Sequence, residues 1–208
     1  MKIEIIKISN NWQDVKNLAM NTIGKDSGKL PTSSWKKKII LAEHSPIRSL
    51  VFTIRFTDIP YYIVMHLVRH KIGVEHYVST QRTDRTGVNR NKLPQDNLIS
   101  YTMVADVQAL ITISRKRLCN CADPETKKTW QLVKDEVAKY EPELASCMVS
   151  ECIYRGFCPE MKSCGFSSTE KYVNDLVRYR NIEKYVNEAI EKGTEHIEKG
   201  FSLEHTLN

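Results

Sequence analysis

The stretch LVFTIRFTDIPYYIVMHLVRHKIGVEHYVSTQR, residues 50–82, decides the fold class. Leu50 to Phe56 is β-branched and aromatic and predicts a strand. Asp58 is placed to cap a helix with Pro60 in its first turn, running to about His70. Glu75 to Ser79 reads as a second, short β segment. Strand and helix thus mix, with no internal repeat, in an order that reads as α+β.

The flanks extend this pattern. Lys2 to Ile8 alternates charged and apolar residues and predicts an edge strand. Asn11 caps a predicted helix to about Ile23, with Trp12, Val15, Leu18 and Ala19 on one face. Ser33 or Ser34 caps a second helix, from Trp35 to about Ala42. Downstream, Thr83 to Asp96 is polar, carries Gly87 and Pro94, and reads as a loop. The longest helical pattern runs from near Tyr101 to Ala122, and Pro124 opens another helix, Glu125 to Tyr140. Cys147 to Ser168 is irregular, and Lys171 to Lys199 is polar and helical. The expectation is an α+β fold, a central mixed sheet flanked by long helices, with residues 1–168 as one domain and 169–208 as a helical tail.

Composition narrows the function. The chain has 208 residues, 41% hydrophobic and 27% charged, with a net charge of +6. No segment reaches the roughly 18 apolar residues of a membrane span, and the N-terminus has no secretory pattern, so a cytoplasmic protein with no membrane partner is expected. The positive charge reads either as a solvated basic surface or as a surface for an anionic partner, nucleic acid or small phosphates. No long Lys/Arg run, zinc-finger spacing or Gly-rich phosphate loop is present, which favours small phosphorylated ligands over nucleic acid.

Chemistry concentrates at Arg69-His70-Lys71, where the apolar helix ends. Such a run caps the carbonyls of a helix C-terminus, or gathers round an anion. With Ser79 it resembles the signature of the flavin-dependent thymidylate synthase (ThyX) family: Arg-His-Arg, seven residues, then Ser, with Lys71 in place of the second Arg. Arg90-Asn91-Lys92-Leu93-Pro94 resembles the family's Arg-x-x-Leu-Pro loop. Asp106-Val107-Gln108-Ala109-Leu110-Ile111-Thr112 resembles its Asn-x-Arg-x-Leu-x-Asn helix, and Arg117 with Ala122 and Glu125 its Leu-Arg…Ala-Gln-x-Glu pattern. His44-Ser45-Pro46-Ile47-Arg48 looks like its His-x-Ser/Thr-Pro-Phe-Glu segment, one residue shorter.

The resemblance implies a ThyX-like fold, a homotetramer with active sites between subunits, and transfer of a one-carbon unit from methylenetetrahydrofolate to C5 of dUMP, with FAD as cofactor and NADPH as reductant. It implies dUMP contacts from His66, Arg69, Ser79, Gln81, Arg82, Arg90 and Arg117, and FAD contacts from His44, Ser45, Arg69, His70, Lys71, Asp106, Gln108 and Thr112. Arg117 is the implied catalytic residue, polarising the uracil as C5 attacks. On a helix Arg115, Lys116 and Arg117 point about 100° apart, and pattern alone equally favours Arg115.

The departures bear on substrate. His66 stands where the family has Gln, Tyr77 where it has Glu, Gln81 where it has Arg, and a long helical insertion before the Arg90 loop is missing. These leave open another pyrimidine nucleotide, a non-catalytic nucleotide- or flavin-binding relative, or a basic nucleic-acid-binding protein. Cys152, Cys158 and Cys164 do not follow standard zinc spacing; they read as thiols, with a bound metal as the alternative. His76 and His196 read as structural.

Overall fold

The computed structural model describes residues 1–181. Its centre is a four-stranded sheet in the order β1-β2-β4-β3, with β1 Lys2–Ser9, β2 Val51–Pro60, β3 Val74–Val78 and β4 Leu98–Asp106. All the pairings are antiparallel, so the α+β class holds but the sheet is not mixed. β1 is an edge strand as the alternation predicts, and β3 is the other edge.

The helices are α1 Trp12–Asn21, α2 Ser33–Leu41, α3 Tyr61–Leu67, α4 Thr83–Thr86, α5 Val107–Arg117, α6 Pro124–Ala138, α7 Pro142–Cys147, α8 Glu151–Arg155 and α9 Glu170–Arg180. The Asn11 side chain accepts from the Gln13 and Asp14 amides, and Asp14 returns a bond to the Asn11 amide, closing a capping box. Thr32, rather than Ser33 or Ser34, caps α2. The loop from Thr83 to Asp96 contains α4 and a 3₁₀ turn at Arg90–Lys92. Of the predicted C-terminal helix, α9 is observed; beyond 181 the prediction lies outside the described residues.

Two readings of the central segment need correction. Tyr101 does not begin a helix: it lies in β4, where Ile99, Tyr101, Met103 and Ala105 are buried in alternation. The helix starts only after Asp106, whose Oδ1 accepts from the Ala109 amide at 2.7 Å. Asp58 does not cap α3 either. It takes a left-handed conformation, φ 56°, at a bulge between Phe56 and Ile59, and β2 continues to Pro60. The first amides of α3 are satisfied instead by carbonyls of the following loop, Tyr61 to Asn97 and Tyr62 to Gln95, both 3.0 Å.

One face of the sheet packs Phe52, Ile54, Phe56, Tyr101 and Met103 against the helices, with Trp130 of α6 fully buried. Trp130 Nε1 donates to Ser114 Oγ at 2.8 Å, and Ser114 donates to the Leu110 carbonyl at 2.7 Å, which fixes α5 against α6. A smaller cluster of Cys152, Ile153 and Tyr172 joins α8 to α9. No helix among the described residues is long and apolar enough to cross a membrane.

Candidate functional site

Helix α3 ends at Val68, and Arg69, His70 and Lys71 follow before the chain reverses at Gly73. Gly73 has φ 70°, and a Cβ there would lie 2.5 Å from an Asp106 carboxylate oxygen. This close approach brings the cationic turn to the start of α5. The other end of α5 supplies Arg117. Its Nε donates to His70 Nε2 at 2.9 Å, and its Nη2 to the His66 carbonyl.

Protonation follows from these bonds. A guanidinium only donates, so His70 Nε2 accepts and the proton of the neutral ring sits on Nδ1. Burial, then Arg117 and His76, lower the His70 pKa to about 4. Burial, and then Arg69, also lower the Arg117 pKa. His76 lies 2.6 Å from both the Tyr101 hydroxyl and the His70 carbonyl. The carbonyl must accept, so His76 Nε2 donates to it and Nδ1 accepts from the Tyr101 hydroxyl. Burial raises the Tyr101 pKa and keeps that hydroxyl protonated. Both His76 nitrogens are thus occupied within the fold.

His66 points toward the start of α6. Its Nδ1 lies 2.7 Å from Thr126 Oγ1, which donates to Asp123 Oδ2 at 2.8 Å. Asp123 also accepts from the Thr126 amide at 2.9 Å. Its pKa is lowered chiefly by that bond, with His66 contributing, so it stays ionised.

The other cations of α5 are placed differently. Arg115 is ion-paired with Glu43 and lies 3.6 Å over the Tyr154 ring. That commits Arg115 and leaves Arg117 beside the turn. Gln108 donates to Glu43 at 2.6 Å, Thr112 donates to the Gln108 carbonyl at 2.8 Å, and Asp106 caps its own helix. These three side chains all bond within the chain. His44 and Ser45 are exposed at the start of a 3₁₀ turn, Ser45–Ser49.

Ser79 and Gln81 lie elsewhere. With Asp58, Asn97 and Ser100 they line a groove of about 280 Å³ beyond the end of β3. Ser79 accepts from the Ser100 amide at 3.2 Å. Arg82 spends both arms of its fork on Asp84, at 3.0 and 2.8 Å. Arg90 is exposed on its 3₁₀ turn. At roughly 3.3 Å per residue, β3 separates Ser79 from the Arg117 cluster by on the order of 15 Å. The chain therefore gathers His66, Arg69, His70, Lys71 and Arg117 at one place and Ser79 and Gln81 at another.

Thr126, Asp123 and Glu43 were not among the sequence candidates. Asp123-Pro124 marks a helix start, but nothing local says that this cap faces His66. Cys152 is buried, Cys158 half-buried and Cys164 exposed, and among the described residues no group of His, Cys, Asp or Glu could hold a metal ion.

No family model and no curated protein matches this sequence. Among solved structures, the chain resembles a UMP/dUMP methylase, PolB from Streptomyces cacaoi, bound with 5-Br dUMP. The TM-score is 0.57 at 14% identity, over 72% of this chain and 97% of the methylase. The two chains share a fold. The likeness takes in nearly all of the methylase, so the shared part is a whole architecture and not a single motif.

Proposed function

We propose that the protein methylates C5 of a pyrimidine nucleotide, dUMP in the first instance, with methylenetetrahydrofolate as carbon donor, FAD as cofactor and NADPH as reductant. One observation carries this reading. Arg117 is fixed by His70 and the His66 carbonyl, next to Arg69 and Lys71, which are exposed and make no ion pair among the described residues. A built but uncompensated cationic cluster suits anionic ligands.

The residues fit the parts expected of them. Arg69 and Lys71 suit phosphate oxygens, with exposed His44 and Ser45 as further cofactor contacts. The neutral His70 has Nδ1–H left to donate. Bound FAD would supply the redox chemistry. Arg117 would stabilise negative charge on the pyrimidine ring as C5 attacks, an effect greatest in the transition state. Arg90 would hold the nucleotide phosphate. The Ser79 groove lies at the far end of β3, and a homotetramer would let one copy complete the site of another.

The test is an absorption spectrum after reconstitution with excess FAD and desalting, followed by product analysis with methylenetetrahydrofolate, NADPH and dUMP. Retained flavin bands and formation of dTMP are expected. Absence of the bands refutes flavin dependence. Because His66 and Gln81 depart from the family pattern, UMP is assayed alongside; conversion of UMP alone would reassign the substrate.

A further inference from the structure

We propose that His66 carries the proton of the reaction: its Nε2 takes the hydrogen that C5 of the pyrimidine loses once the new carbon–carbon bond has formed. The inference rests on the proposed C5 methylation and adds a residue and a role to it. In that step the C5–H bond breaks. The proton forms the Nε2–H bond, and the electron pair stays on the pyrimidine as a carbon–carbon double bond. No further reactant is needed.

Elimination leads to His66. The cluster around Arg117 holds three histidines. His70 has Nε2 blocked by Arg117 and a pKa of about 4, a poor base at neutral pH. His76 has both nitrogens bonded. His66 bonds through Nδ1 alone, and its Nε2 has no partner among the described residues and is not sealed from solvent.

The bonds behind His66 set its tautomer. The Thr126 hydroxyl donates to Asp123, so its oxygen can only accept from His66. Nδ1 therefore carries the proton, and Nε2 presents a lone pair. When Nε2 takes up a proton, the new charge is relayed through Thr126 toward an ionised carboxylate. A general base with an oriented imidazole and an acid behind it has this form.

The same α3 turn ties His66 to the ring-polarising arginine, since Arg117 donates to the His66 carbonyl. The charged and titratable groups against it are Asp123 at the cap of α6, Arg117 from α5 and Tyr62 from its own helix. Tyr62 meets His66 edge-on at 6.3 Å between ring centres and also feels Asp96.

The experiment follows loss of deuterium from C5-labelled dUMP or UMP in the complete reaction mixture. It compares wild type with His66→Gln, Thr126→Val and Asp123→Asn. His66→Gln is expected to slow label release about 10²- to 10⁴-fold with nucleotide Kd within a few-fold of wild type. The acid limb of the rate profile should disappear with it. Thr126→Val should release the ring from the tautomer protonated on Nδ1, read by nitrogen-15 NMR, and slow label release by a smaller factor than His66→Gln. Nitrogen-15 NMR of the wild-type protein should find the neutral His66 ring protonated on Nδ1. A His66→Gln variant with wild-type release and an unchanged acid limb overturns the relay alone, as does a ring protonated on Nε2. A wild type that binds nucleotide and flavin but releases no label overturns the methylation reading and the relay with it.

Discussion

Gly73→Ala tests how the cationic turn is seated. The new Cβ meets the Asp106 carboxylate at 2.5 to 2.9 Å, well inside contact distance. It must also adopt φ 70°, which costs a non-glycine residue about 1–2 kcal/mol. The carboxylate can retreat only by loosening its 2.7 Å bond to the Ala109 amide, and losing such an N-cap costs about 0.5–2 kcal/mol. The two effects together predict a loss of about 1.5–4 kcal/mol. For a chain of this size that lowers Tm by roughly 3–16 °C. A double-mutant cycle separates them by denaturant unfolding. In an Asp106→Ala background the clash and the cap are both gone, so Gly73→Ala should cost only the backbone strain, about 1–2 kcal/mol. Equal costs in the two backgrounds would refute the close approach of Gly73 to Asp106.

Two further outcomes follow from the site. Arg117→Ala should lower turnover on the order of 100-fold at saturating nucleotide, whereas Arg90→Ala should weaken nucleotide affinity about 10- to 150-fold with a smaller effect on turnover; steady-state kinetics beside nucleotide titration distinguishes the two. His70 gives a pH dependence of stability whose sign is fixed: its pKa is lowered from 6.5 to about 4 on folding, so between these values the unfolded chain binds more protons. Stability should be unaffected by His70 above pH 6.5 and fall as pH drops from 6.5 toward 4, by roughly 1 kcal/mol or more after screening at a half-buried site; His70→Asn should remove this slope in thermal melts across that range.

Local chemistry accounts for what the sequence made legible. Asn11 and Asp14 carry a capping box within four residues, and the alternation of Lys2 to Ile8 marks an edge strand with one wet face. β4 escaped the same reasoning for a physical reason. It lies between β2 and β3, and its outward residues Thr102 and Val104 are themselves half-buried. Its second half, Met103-Val104-Ala105, is apolar on both faces and passes through Asp106 straight into Val107 of α5, so strand and helix share one apolar stretch that periodicity does not divide. Asp58 misled because Asp suits both a helix cap and a left-handed bulge, and only the path of the chain decides. In the site, Arg69, His70, Lys71 and Arg117 were readable as charged residues at helix ends. Their partners were not: Arg117 reaches His70 across 47 residues, and His66 reaches Thr126 across 60.

The distribution of carboxylates supports the anion-binding role proposed for the cluster. Acids are supplied freely to other cations: Glu43 to Arg115, Asp84 to Arg82, and Glu151 to both Arg155 and Lys116. Arg69 and Lys71 have no such partner among the described residues, and the neutral His70 between them and Arg117 offers an acceptor without a charge. Like charges held together cost stability, here visible as the lowering of the Arg117 pKa by Arg69 after burial. A fold that neutralises Arg115 two residues away and leaves Arg117 uncompensated keeps that cost where an anion would repay it.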